Sequence, residues 1–282
     1  MEPNMASDDL KQKVLKAVEE TGFPLELRVS RLLQQHDCLV ANNVYYLDPD
    51  EGKGREVDIR ALKNVEFSHS NRTFYVRNCY FIECKRSRKR PWVVFTSDST
   101  GYDNDLPTLQ VRGLSYKDAY ASALNTWASE EVLQALATVH PYGKNRKRGR
   151  GYFEALKGGS PDRGGEFASM IFKAITTAVK AAITARDQQF AARGNSVCFY
   201  YPFIVLDGVL FEAFLEGDEV RLEERDQVIV SFFYVSPKHQ DERLLVPIVT
   251  EPALSSFLVA LQDSLEIIAG PFKNNLKLFQ PN

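Results

Sequence analysis

The chain is poor in the residues that most often announce a site. Among 282 residues there are four cysteines, four histidines, three methionines and two tryptophans. Cys38, Cys79, Cys84 and Cys198 show no C-x-x-C spacing, which excludes a zinc ribbon or finger. Three of them lie in apolar, strand-like runs and read as buried reduced thiols of a cytosolic protein. His36, His69, His140 and His239 form no H-E-x-x-H or other metal spacing. The glycine-rich stretch 158–165 lacks the Lys-Ser/Thr of a phosphate loop, and Asp98, Asp103 and Asp105 do not keep a calcium-loop spacing. No Ser-His-Asp order can be read from the chain. There is no excess of one charge: 35 Lys and Arg face 37 Asp and Glu. The distribution of charge, rather than its sum, must therefore carry any attraction for phosphates. No apolar run approaches the ~20 residues of a membrane span, and the first residues have no apolar signal core. The expectation is a soluble, cytoplasmic protein without a membrane partner.

What is present suits a folded domain. Hydrophobic residues make up 44% of the chain, with 18 Phe and 12 Tyr, enough to bury a sizeable core. Ser7 or Asp8 can cap a first helix with Leu10, Val14, Ala17 and Val18 on one face, ended by Gly22. Pro24 suits the start of a second helix, to about residue 35, with Leu25, Val29, Leu32 and Leu33 inward. Glu26 falls at the edge of that face. Strands are predicted over 39–47, 55–62 and 73–85, with a turn at 48–52. Residues 96–165 read as an insertion: a loop, a helix over 116–139, then basic and glycine-rich loops. A helix over 166–193 follows, then strands 197–206 and 209–215 joined by a tight Asp207-Gly208 turn, and a strand over 227–235. Thr250-Glu251-Pro252 opens a last helix, over about 251–269 and stopped by Gly270. No internal repeat or strong linker divides the chain, so one domain over 1–282 is expected.

The run Tyr80-Phe81-Ile82-Glu83-Cys84-Lys85 is the most informative. Residues two apart on a strand share a face, so Glu83 and Lys85 point one way and Cys84 the other. For a lone Glu-x-Lys the bland account, a salt-bridged strand end, would win. Asp58, however, lies inside a second apolar strand, and a hairpin would bring it beside Glu83. Two carboxylates at strand ends suit a hard cation such as Mg²⁺ or Mn²⁺, and a nearby lysine can act on a water or on developing charge.

Glu26 on a helix, Asp58 on one strand and Glu83-Cys84-Lys85 on the next resemble the E…D…(D/E)XK pattern of the PD-(D/E)XK, or restriction-endonuclease-like, nucleases. Val57 stands where the motif has its naming proline. The resemblance spans about 23–95, with 166–206 fitting the following helix and strand. It implies an α/β fold with an αβββαβ core, a mixed sheet flanked by helices. The core would lie at about 9–95 and 166–235, with the helical and loop insertion at 96–165 and a C-terminal strand-helix extension. It also implies a Mg²⁺-dependent nuclease, with Mn²⁺ as substitute, acting on nucleic acid and on DNA first, in defence or repair. Asp58 and Glu83 would be metal ligands, the Cys84 carbonyl a further one, and Lys85 catalytic. Glu26 would bind a second metal or order a water.

Two basic runs add substrate contacts to this reading. Arg86, Arg88, Lys89 and Arg90 lie just beyond the catalytic strand, and Lys144, Arg146, Lys147, Arg148 and Arg150 form a second run flanked by Tyr142 and Tyr152. Arginine and lysine make most phosphate contacts, and aromatics stack on bases. Each run reads equally as a solvated turn or loop on composition. A nuclease-fold subunit that binds nucleic acid without cutting it is the alternative function. The reading leaves room for a homodimer or a partner subunit.

Overall fold

The structure, a computed structural model, describes residues 8–69, 71–98, 134–135, 138–141, 147–155, 168–190, 196–236 and 240–274. It is mixed α/β: one eight-stranded mixed sheet flanked by helices. Helices α1 (Asp8–Glu20) and α2 (Phe23–Gln35) form where the apolar spacing places them. Their fates differ. Leu25, Val29 and Leu33 of α2 are buried, whereas α1 buries no residue and leaves Leu10, Val14 and Val18 about half exposed.

Strand β1 (Leu39–Leu47) turns into β2 (Gly54–His69) through an Asx-type turn in which the Asp48 carboxylate accepts the N–H groups of Asp50 and Glu51. β2 pairs antiparallel with β3 (Arg72–Asp98), which runs well past the expected end at Lys85. The register with β5 explains how a proline is tolerated there. Ser87 pairs with Gly208 and Trp92 with Leu210, so five steps along β3 match two along β5, and Pro91 lies in the bulge between. Beyond it, Trp92, Val93 and Val94 return to the core.

The expected insertion at 96–165 is therefore shortened at its start and interrupted by a strand. Thr96–Asp98 belong to β3, and β4 (Lys147–Glu154) pairs antiparallel with it. Of the helix expected over 116–139, residues 134–135 and 138–139 are described and helical. The rest, and the loop 158–165, lie outside the described residues.

Helix α3 (Ala168–Phe190) leads into β5 (Ser196–Glu216). Here the expectation of two strands joined by an Asp207-Gly208 hairpin fails: β5 is continuous and parallel to β3. Gly208 serves close approach instead, since a Cβ there would sit 2.7 Å from the Ser87 carbonyl oxygen. The chain reverses later, at Gly217 (φ +62°), into β6 (Glu219–Glu224). β7 (Gln227–Val235) and β8 (Gln240–Thr250) form an antiparallel pair, and β8 was not anticipated. The pairings β3–β4, β4–β7, β7–β8, β8–β5 and β5–β3 return to their starting strand, so part of the sheet closes on itself.

A short 3-10 turn (Glu251–Ala253) precedes α4 (Leu254–Asn274). Gly270 does not stop this helix, because Phe272 beyond it is fully buried and anchors the last turn. Contrary to the sequence reading, Glu251–Asn274 is long and apolar enough to cross a membrane by length and composition. Its Phe257, Leu261, Leu265 and Ile268 instead fill the protein core. That core lies between α2, α4 and one face of the sheet, and α3 covers the strands from another side with Ile171, Ile175 and Val179.

Candidate active site

The β2–β3 ladder ends at the pair Ile59 and Ile82, one residue short of Asp58 on one strand and Glu83 on the other. The β1–β2 ribbon is disturbed at the same level. Asn42 pairs with Ile59 and Val44 with Val57, but Asn43 between them takes a left-handed conformation (φ 52°), which asparagine tolerates better than most residues. The ribbon changes faces at this kink. Ile59 and Ala61 pack towards α2 and α4, whereas Val57, with Val44 and Tyr46, packs on the α3 side. Asp58 stands at the crossover, freed from the regular alternation of either segment.

From there its Oδ2 accepts the Cys84 backbone N–H at 2.7 Å and the Lys85 ammonium at 3.2 Å. Lys85 Nζ also lies 2.7 Å from Glu83 Oε2. The strand alternation thus holds: Glu83 and Lys85 share a face, and the Cys84 side chain joins the core on the other. Burial raises the Cys84 thiol well above its ordinary value, which leaves its carbonyl, not its sulfur, as the group able to bind a hard cation.

Glu83 is only 4% exposed. Burial pushes its carboxyl up to about 7, against the favourable charge of Lys85 and with the added repulsion of Asp58. Burial also opposes charge on Lys85, but Glu83 and Asp58 outweigh it and hold the ammonium protonated, its pKa raised. Glu83 Oε1 is buried without a hydrogen-bond partner. An unpaired carboxylate oxygen out of water is costly unless a further cation or donor approaches it.

Glu26 of α2 is partly buried near this centre. Burial raises its carboxyl, and Asp58 raises it further while Lys85 opposes. Arg28, two residues on in the same helix, binds Glu251 instead of Glu26. Three carboxyl groups thus crowd around one lysine, and the repulsion of Asp58 on the other two favours a further cation there. Among the described residues no three His, Cys, Asp or Glu side chains form a ready-made metal cage. Mg²⁺ commonly binds through one or two carboxylates while keeping waters and taking substrate oxygens. Asp58 and Glu83, with the orphaned Oε1, fit that mode.

The first basic run is a bulge in β3 rather than a turn after it. Arg86 and Arg88 both pair with Asp207 of β5. Arg86, Ser87, Arg88, Lys89 and Arg90 line an open cleft of about 640 Å³, with Glu20, Glu154 and Met170 on its other sides. The second run divides. Lys144 and Arg146 lie outside the described residues, whereas Lys147, Arg148 and Arg150 are in β4. Lys147 sits 3.2 Å over the Phe214 ring. Arg148 is 5% exposed and donates to the Lys147 carbonyl, so it does not belong to a gripping loop. Arg150 is exposed. Asp207, Glu251 and Arg28 escaped the sequence reading. The only local signal, Asp207-Gly208, reads as a turn.

No protein family matches the chain, and neither a curated protein nor a solved structure shows significant similarity to it.

Proposed function

We propose that the protein is a metal-dependent phosphodiesterase of the PD-(D/E)XK type that cleaves nucleic acid, with DNA as the first candidate substrate. The observation that carries this reading is the meeting of Asp58 and Glu83 around Lys85 at the end of the β2–β3 ladder, with Glu83 Oε1 buried and unpartnered. The order α2, β1, β2, β3, α3, β5, with the first three strands antiparallel and β5 parallel to β3, is what an αβββαβ core requires and supports the same reading.

Asp58 and Glu83 would hold Mg²⁺, with the Cys84 carbonyl as a further oxygen and Glu26 ordering water nearby. Bound there, the ion would polarise a phosphate oxygen and make a water acidic enough to attack. Lys85, firmly protonated, balances the two acids and is placed to turn towards charge developing on the phosphoryl oxygens. Lys89 and Arg90 line the neighbouring cleft and would hold substrate phosphates.

The test is incubation of the purified protein with circular and linear DNA, and with RNA, in Mg²⁺, Mn²⁺ or EDTA. Metal-dependent cleavage by wild type and none by Asp58→Asn is the expected result. Cleavage in EDTA, or unimpaired cleavage by Asp58→Asn, would overturn it. The contact of Lys85 with both acids favours one other reading, a nucleic-acid-binding subunit of the same fold in which the lysine permanently fills the cation's place. That reading requires nucleic-acid binding without Mg²⁺ binding or cleavage.

A further inference from the structure

Asp207 gathers three arginines from two elements. Its carboxylate accepts Arg88 Nε at 2.9 and 3.0 Å, and lies 3.5 Å from Arg86 Nε and 3.8 Å from Arg28 Nη2. Arg28 is held on its other side by Glu251, at 2.5 and 3.0 Å. The acid is inside and the bases are outside: the Asp207 side chain is 12% exposed, against 22% for Arg86, 44% for Arg28 and 55% for Arg88. Arg86 pairs directly with Asp207 in the β3–β5 register, one step beyond Lys85 and Leu206. Two carboxylates thus lie under three guanidiniums, with Glu19 of α1 also near Arg28.

The backbone explains why such a hub is needed. Arg88 begins the stretch of β3 that has no partner on β5, between the Ser87–Gly208 and Trp92–Leu210 pairs. An arginine on an unpaired bulge retains most of its rotamer freedom, and fixing it on a phosphate would forfeit roughly 2 kcal/mol. A carboxylate beneath the bulge imposes that order before substrate arrives. A guanidinium carries five N–H donors in a fixed fork, so one edge can rest on Asp207 while the other faces outwards.

We infer that Asp207 is a positioning residue for substrate: it preorganises Arg86, Arg88 and Arg28 as a guanidinium comb that receives phosphates of a nucleic-acid strand bound across the β3 bulge. The inference rests on the proposed function, and it predicts an effect opposite in sign to simple electrostatics. Asp207→Asn removes a negative charge from a phosphate-binding surface, which alone should tighten nucleic-acid binding and steepen its salt dependence. If Asp207 positions the arginines, the same change weakens binding.

The experiment compares wild type, Asp207→Asn and Asp207→Glu for binding of a short DNA duplex and a single strand across a salt series. Steady-state cleavage is measured in Mg²⁺, and melting temperatures confirm folding. Asp207→Asn should bind about tenfold more weakly, with a salt slope shallower by roughly 1–2. Its KM should rise while kcat holds. Asp207→Glu keeps the charge and both acceptor oxygens and should restore most of the affinity. The double variant Arg86→Lys/Arg88→Lys keeps both charges and discards the fork. It carries the same expected loss should Asn at position 207 fail to fold. Equal or tighter binding by a folded Asp207→Asn, or by the double variant, would overturn the inference and leave the nuclease reading standing. A wild type that binds neither DNA nor RNA would overturn both.

Discussion

Replacing Glu83 by Gln removes a charge that the fold holds almost out of water, and its effect on stability should depend strongly on pH. In the metal-free protein burial raises this carboxyl from 4.5 to about 7. Between those values the folded protein binds a proton that the unfolded chain has released. The stabilisation from the protonated acid is fully present below pH 4.5 and is lost as pH rises through about 7. A displacement of that size corresponds to about 3 kcal/mol, at about 1.4 kcal/mol per pH unit. Gln occupies the same volume, can still accept from Lys85, and does not titrate. The stability of Glu83→Gln relative to wild type should therefore rise by about 3 kcal/mol between pH 4.5 and pH 8. Urea unfolding of both proteins in EDTA, at matched ionic strength, measures this directly. Mg²⁺ added at pH 8 should then stabilise wild type, by about 2.7 kcal/mol at a hundred times its Kd, and leave the Gln variant unchanged. A stability difference that stayed flat from pH 4.5 to 8 would refute the claim that Glu83 is held against its solvation. A Gln variant stabilised by Mg²⁺ as much as wild type would refute its place in the metal site.

Three further outcomes follow from the same geometry. Lys85→Ala should keep Mg²⁺ affinity, read by calorimetry, while turnover falls by about a hundredfold or more; collapse of metal affinity would mean that Lys85 is structural. Glu26→Gln should lose much of its rate, partly restored by Mn²⁺, with little change in melting temperature, because burial and Asp58 already disfavour its charge; a full rate would remove Glu26 from the site. Gly208→Ala should destabilise the protein by about 1–3 kcal/mol, since its Cβ would meet backbone rather than a movable side chain; an unchanged melting temperature would show that the β3–β5 contact can open without strain.

Much of the candidate site was legible because strand alternation is a property of consecutive residues. Glu83 and Lys85 had to share a face, and an acid and a base closing an apolar strand demanded a partner. Helical spacing sets Glu26 at the margin of the apolar face of α2, and there it is partly buried. The basic run after Lys85 was visible, but its conformation was not. Pro91 after five charged or polar residues reads as the end of a strand, and only the burial of Trp92 to Val94 shows that the strand resumes. The second basic run misled for a related reason. Arg148 is charged, yet pairing of β4 with β3 carries it into the interior.

By itself, the sequence determined the helices α1 and α2, strands β1 and β7, and the common face of Glu83 and Lys85, because each rests on a period repeated within a few neighbouring residues. Tertiary structure alone decided how those pieces meet. Asp58 reaches Lys85 because the β1–β2 ribbon changes faces at Asn43, and the asparagine is the one local hint of that kink. Asp207-Gly208 has the composition of a hairpin turn, but long parallel pairing with β3 keeps it extended, turns its glycine into a point of close approach and sets its carboxylate under the arginines. Those outcomes depend on which distant strand lies alongside, and that choice is made by burial of the whole core rather than by the residues on either side.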